Sequence, residues 1–227
     1  QKDSYFRIMN LYPIKFKPII IEKIWGGTKL KNLLNKPTLT ENAGESWEIS
    51  GVKDKLSIVR NGSLKGKTIE EIIKQYKDKL VGKKVYDQFL NEFPLLIKFI
   101  DAKDDLSVQV HPDDKIAKLR HNKNGKNEMW YMLECDPNAH LILGVQETIS
   151  KEEYLHSVEQ KTVSNILNRI PVKRGDSAFI PASRIHAIMK GVFLAEIQQT
   201  SDITYRIYDW DRPGLDGSYR ELHTEEA

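Results

Sequence analysis

The sequence predicts a mainly β domain interrupted by a helical insertion, and three observations predict it. From "PLLIKFIDA" onward, short runs suited to strands are separated by Gly and Pro turn signals, the pattern of a β-sandwich or barrel with helices attached. Residues 68–92 change period, with Ile69, Ile72, Ile73, Tyr76 and Leu80 at helical spacing. The 227 residues suit one large domain, or one domain carrying an insertion, and contain no internal repeat or low-complexity tract.

Taken in order, residues 13–24, "PIKFKPIIIEKI", read as a strand region broken by prolines. "WGG" follows as a turn carrying an aromatic, and 38–50 is polar until it becomes strand-like at "SWEIS". Residues 56–60, "LSIVR", read as a strand, and "NGSLKGK" as a turn, because Asn-Gly favours the left-handed turn geometry. "TIEEIIKQYKDKLVG" is a helix whose Thr68 and Glu71 fit a capping box, and "KVYDQFLNEF" is a second short helix. Strands are expected near 95–102, 106–111, 128–134, 140–144, 177–180, 185–189, 192–199 and 204–208. "SKEEYLHSVEQK" and "KTVSNILNRI" read as a helical segment over about 150–169, with Ser150 and Glu153 as a second capping box.

Composition narrows the partners. Lys and Arg total 35 against 32 Asp and Glu, so the net charge of +3 provides no broad basic field for nucleic acid. Small anions need only local charge and stay open. The single cysteine, Cys135, has no internal disulfide partner, which points to a reducing compartment. Its place in "MWYMLEC" makes it a small buried hydrophobe rather than a nucleophile. No segment is apolar enough to span a bilayer, and "QKDSYFRIMNLYPIKF" lacks the apolar centre of a signal peptide. The first few residues read as a tail, and the expected location is the cytoplasm.

The segment that bears most on function is "DLSVQVHPDD", residues 105–114. In a strand, side chains two apart share a face, so Gln109 and His111 project together and Ser107 joins them. An imidazole and an amide oxygen make half of a metal site. Glu128 opens the strand "EMWYMLE", and His186 follows the Gly175, Pro181 and Ser183 turn region. Ligands on several strands of a small barrel can converge on one interior point. Two neutral imidazoles, a carboxylate and an amide oxygen suit a divalent cation of intermediate softness, zinc first. A lone histidine on a strand is more often structural than a ligand, and His121, His140, His156 and His223 keep that reading.

The set "IWGG", "GESWEIS", "PLLIKFIDAKDDLSVQVHPDD", "GKNEMWYML", "IPASRIHAI" and "AEIQQTSDITYRIYDWDR" closely resembles the type I phosphomannose isomerases, nearest their short bacterial branch. The resemblance runs from about residue 11 to the last residue. It implies a cupin fold, a double-stranded β-helix or jelly-roll barrel, filling 1–227 as one catalytic domain. It implies interconversion of mannose 6-phosphate and fructose 6-phosphate through a cis-enediol or enediolate, with one zinc ion per chain. Carried over residue by residue, it assigns Gln109, His111, Glu128 and His186 to the metal. It matches Arg206 to an essential arginine, Glu196 to a carboxylate of the same site, Lys126 to a substrate-binding and catalytic lysine, and Ser107 to a serine that meets phosphate. Arg206, with Ser107 and Lys126, is thus expected to bind substrate as well. The plain alternatives are a structural salt bridge for Arg206 and Glu196 and a solvated loop charge for Lys126. Members of the family usually continue beyond "RELHTEEA" into a second cupin-like domain, which this chain is expected to lack. Two other readings compete. One is another metal-dependent cupin enzyme such as an oxygenase. The other is a non-catalytic domain that binds sugar phosphates.

Overall fold

A computed structural model describes residues 11–146 and 149–227. The expected N-terminal tail therefore lies outside the described residues. Two antiparallel sheets face each other. The six-stranded sheet runs β1 (Ile19–Gly27), β2 (Ala43–Ser50), β3 (Leu95–Asp101), β10 (Val192–Gln199), β5 (Glu128–Cys135) and β8 (Ser177–Ile180). The five-stranded sheet runs β11 (Tyr205–Tyr208), β4 (Val108–Val110), β9 (His186–Ile188), β6 (His140–Val145) and β7 (Leu167–Pro171). Neighbours in space are mostly not neighbours in sequence, as a jelly roll requires, and the architecture is that of the cupins.

The main core lies between the sheets. Ile100, Trp130, Met132, Ile180 and Leu194 from one sheet meet Leu141 and Ile188 from the other, all buried. At about 25 cal/mol per Å2, burial of this apolar surface is the chief force holding the sheets together. The opposite face of the five-stranded sheet is covered by α5 (Asp114–His121) and by the segment around Val163, through Ala117, Val163, Leu167 and Met189. The helical insertion consists of α2 (Ile69–Tyr76), α3 (Asp78–Val81) and α4 (Lys83–Phe89), and Ile72 of α2 packs on Val59 and Leu64. A short α1 (Lys29–Leu34) seats Leu30 against Ala43 and Phe193, and α6 is Lys151–Glu159.

Both capping boxes form. Thr68 Oγ1 accepts from the Glu71 amide at 3.2 Å while Glu71 accepts from the Thr68 amide at 2.7 Å, and Ser150 with Glu153 repeats the exchange. Several expectations fail for identifiable reasons. The helix expected through Leu80 breaks at Lys77, which takes φ of +53° and starts α3 afresh. "LSIVR" forms only the single bridges Phe16–Val59 and Ile58–Thr68. The strand of the prolines begins past Pro18, at Ile19, and "WGG" ends β1 rather than turning, with Gly27 paired to Ala43. The helix expected over "KTVSNILNRI" is a single 3-10 turn, Val163–Asn165, followed by β7.

Candidate metal centre and cavity

The site is built from two cross-strand rows, one on each sheet. On the five-stranded sheet, Arg206 of β11 pairs with Gln109 of β4, and Gln109 pairs with His186 of β9. On the six-stranded sheet, Lys98 of β3 pairs with Glu196 of β10, and Glu196 pairs with Trp130 of β5. Alternation along each strand turns these side chains toward the space between the sheets, so antiparallel register alone brings six polar or aromatic groups to one level. Glu128 lies two residues before Trp130 and shares its face. His111 follows β4 directly and is held by the Ser183 amide, which donates to its carbonyl at 2.7 Å.

His111, Glu128 and His186 each offer a donor atom within 4.8 Å of the others, and all three are buried. His111 Nδ1 lies 3.0 Å from the Ile203 carbonyl and His186 Nδ1 lies 2.8 Å from the Arg184 carbonyl. A carbonyl only accepts, so each Nδ1 carries the hydrogen and each Nε2 presents a lone pair inward. Burial, followed by the Lys126 ammonium, pushes His111 down to about 3, and burial also lowers His186. Both rings are therefore neutral at pH 7. His111 Nε2 is buried with no hydrogen-bond partner, yet it lies 3.2 Å from Glu128 Oε1, and His186 Nε2 lies 3.8 Å from Oε2. Lone pairs facing a carboxylate repel unless a cation stands among them, so the donor set fits a divalent metal.

Beside the cluster, reached through Glu128, lies a cavity of about 290 Å3, lined among others by Ser107, Gln109, Lys126, Glu196 and Arg206. Every residue expected at the site from sequence borders this cavity or its metal cluster. Lys126 Nζ lies 3.0 Å from Glu128 Oε1. Gln109 Nε2 lies 3.4 Å from His186 Nε2, and Gln109 Oε1 is 3.5 Å from the Ser107 hydroxyl. Arg206 donates from Nη1 to the Glu221 carbonyl at 2.8 Å and is half-buried at the rim. The plain salt-bridge alternative holds for Glu196 only in part. It pairs with a lysine, Lys98, at 3.0 Å, but it also faces the cavity. For Arg206, no carboxylate ion pair is recorded among the described residues.

Sequence reasoning missed Lys98, Glu45 and Trp130. Lys98 Nζ sits between Glu196 at 3.0 Å and Glu45 at 3.5 Å, with all three buried. A signal was present, since Lys98 falls in phase with Leu96 and Ile100 on the inward face of "LLIKFID". The three acids differ. Burial would raise Glu45, but Lys98 and Lys23 outweigh it and hold the group at about 2. Burial would also raise Glu128, but the charge of Lys126 keeps it well below the ordinary range. Glu196 goes the other way, raised by burial and by the negative charge of Glu128. Of the histidines read as structural, His121 meets the Tyr205 hydroxyl at 2.7 Å, His140 meets Arg169 at 2.8 Å, and His223 accepts from the Arg206 amide at 3.2 Å. Cys135, expected to be buried, is only half-buried; it packs against the edge of the main core and burial raises its thiol.

Residues 14–138 match the family model for the phosphomannose isomerase type I catalytic domain. The chain belongs to the type I phosphomannose isomerases. It is 40% identical over 220 residues to the mannose-6-phosphate isomerase ManA of Bacillus subtilis, covering 96% of this chain and 68% of that one. It is 38% identical over 215 residues to the mannose-6-phosphate isomerase of Streptococcus mutans, covering 95% of this chain and 66% of that one. The fold superimposes on the crystal structure of the Bacillus subtilis enzyme with a TM-score of 0.87 at 39% identity, over 96% of this chain and 68% of the other. The chain thus spans about two thirds of the length of these relatives. Among the described residues no helix is long and apolar enough to cross a membrane.

Proposed function

We propose that this phosphomannose isomerase domain interconverts mannose 6-phosphate and fructose 6-phosphate, with one zinc ion held per chain by His111, Glu128, His186 and Gln109. The observation that carries the reading is the pair of buried, neutral imidazoles aimed at Glu128 beside a polar cavity with Glu196 and Arg206 in its wall. Zinc bound there supplies a Lewis acid that makes the hydrogen next to the sugar carbonyl acidic.

The remaining chemistry falls to the chain. The reaction removes a proton from C2 of the open aldose and returns one to C1, through a cis-enediol or enediolate. Glu196 is the carboxyl best suited to carry that proton. Of the three buried acids that line the cavity, its affinity for a proton is raised while those of Glu45 and Glu128 are lowered. The guanidinium of Arg206 stays protonated and can donate to both O1 and O2, where negative charge grows. Lys126 neutralises Glu128 at 3.0 Å, and once that carboxylate is committed to a cation its ammonium is released to the substrate. Ser107 and Lys126 hold the phosphate, whose binding anchors the sugar away from the reacting carbons. The ligand is therefore a small sugar phosphate rather than nucleic acid or a membrane surface, and the cytoplasm is the compartment that supplies it.

Proton NMR in D2O tests the reading. The zinc-loaded chain should form fructose 6-phosphate from mannose 6-phosphate and place solvent deuterium on C1 or C2 of the recovered sugar. Binding of the sugar phosphate with neither conversion nor exchange would instead identify a non-catalytic binding domain.

A further inference from the structure

Trp130 sits on β5 with its ring among the core residues, and its one polar atom points away from them into the site. Its indole Nε1 donates to Glu196 Oε2 at 2.8 Å and to Glu128 Oε2 at 3.1 Å. We propose that Trp130 is a positioning residue of the metal centre, its shared N–H locking the carboxylates of Glu128 and Glu196 to each other. The inference rests on the isomerase reading above and deepens it.

The two oxygens of Glu128 have different neighbours. Oε1 faces His111 Nε2 at 3.2 Å and Lys126 at 3.0 Å, whereas Oε2 accepts from Trp130. Rotation of the carboxyl group about its last bond would exchange these roles, and the indole donor opposes that rotation. The same proton also fixes Oε2 of Glu196, whose Oε1 is held by Lys98 at 3.0 Å. Glu128 and Glu196 thus share one donor and keep a set separation despite their like charge. The donor itself is immobile. Trp130 is wholly buried, its backbone pairs with Glu196 on one side and Ala178 on the other, and its ring meets His186 edge-on at 5.5 Å between centroids. An indole N–H never accepts and does not titrate, so the donor side of the tie is fixed. An apolar residue at this position would add to the core and would not supply the donor.

Groups that orient metal ligands typically contribute ten- to a hundredfold in metal affinity or activity. In chelator competition, the Trp130→Phe chain should hold zinc about 10-fold to 100-fold more weakly than wild type. Its kcat for mannose 6-phosphate should fall while KM stays within about threefold, because Glu196 loses its place but the phosphate contacts do not. Met132→Ala, a buried change two residues along the same face, should lower the melting temperature and leave zinc affinity unchanged. Replacing Trp130 by its benzothiophene isostere, which deletes only the N–H, carries the test if the Phe variant does not fold. Zinc affinity and kcat within about twofold of wild type in either folded variant overturn the inference alone. A wild-type chain that retains no zinc overturns the isomerase reading and this inference together.

Discussion

His111 Nε2 lies 3.2 Å from Glu128 Oε1 with no hydrogen on the nitrogen to join them, because the ring's proton is committed to the Ile203 carbonyl at 3.0 Å. This is a buried contact between two electron-pair donors. It is stable only with a cation at hand, and the Lys126 ammonium, 3.0 Å from the same oxygen, is a replaceable one.

Removal of an imidazole should remove the metal. His111→Ala and His186→Ala should each lower bound zinc from one per chain to well under half, read by elemental analysis after dialysis. Unchanged stoichiometry in both variants would reject the ligand assignment.

Arg206 should matter to turnover and not to the metal. It lines the cavity but lies outside the cluster of His111, Glu128 and His186. Arg206→Ala should lose about 10²–10³-fold in kcat, the usual cost of a lost donor to a developing oxyanion, with zinc content intact. Arg206→Lys should recover little, since an ammonium cannot bridge two oxygens as a guanidinium does. A near wild-type rate in the alanine variant would end its catalytic role.

Lys98 should matter to stability first. It is the cation between Glu45 and Glu196, and all three are buried. Lys98→Met leaves two carboxylates inside the sandwich without their shared partner. Removing one member of a buried ion pair costs about 3–5 kcal/mol, which urea unfolding at pH 7 should register. A loss under about 1 kcal/mol would mean that Glu45 and Glu196 are neutralised in some other way.

Glu45 predicts an acid limb. Its folded value of about 2 lies below its ordinary 4.5, so the unfolded chain binds the proton more readily. The stability it contributes is complete above pH 4.5 and is lost as pH falls from there toward about 2. The melting temperature of wild type should fall across that window. Glu45→Gln should start lower at pH 7 and fall less steeply. Parallel curves would assign the acid limb to other groups.

Much of the site was legible in the sequence because its geometry follows from period two. Ser107, Gln109 and His111 alternate with Leu106, Val108 and Val110, so their common face could be read directly. That Gln109 lies opposite His186 could not, since register between β4 and β9 depends on a crossover of some 75 residues. The proline and acids that end "SVQVHPDD" proved to serve α5, where Asp113 accepts from the Ile116 amide at 2.7 Å. That helix escaped notice because its outer face is so polar that few apolar residues mark its period. Val163, Ile166, Leu167 and Ile170 have helical spacing by residue count. Yet the last two are drawn into β7, opposite Val145 and Leu141, where the sheet outweighs local preference. Lys98 and Trp130 were passed over for a related reason. Each looks like a misplaced or ordinary strand residue until the neighbouring strand puts Glu196 beside it.

The most direct test follows fructose 6-phosphate production from mannose 6-phosphate by coupled conversion to glucose 6-phosphate, on one preparation of the chain in three states. Zinc-loaded chain should turn over, chelator-stripped chain should not, and adding back one equivalent of zinc should restore the rate. Equal rates in the stripped and loaded states would contradict a metal-dependent isomerase built on His111, Glu128 and His186.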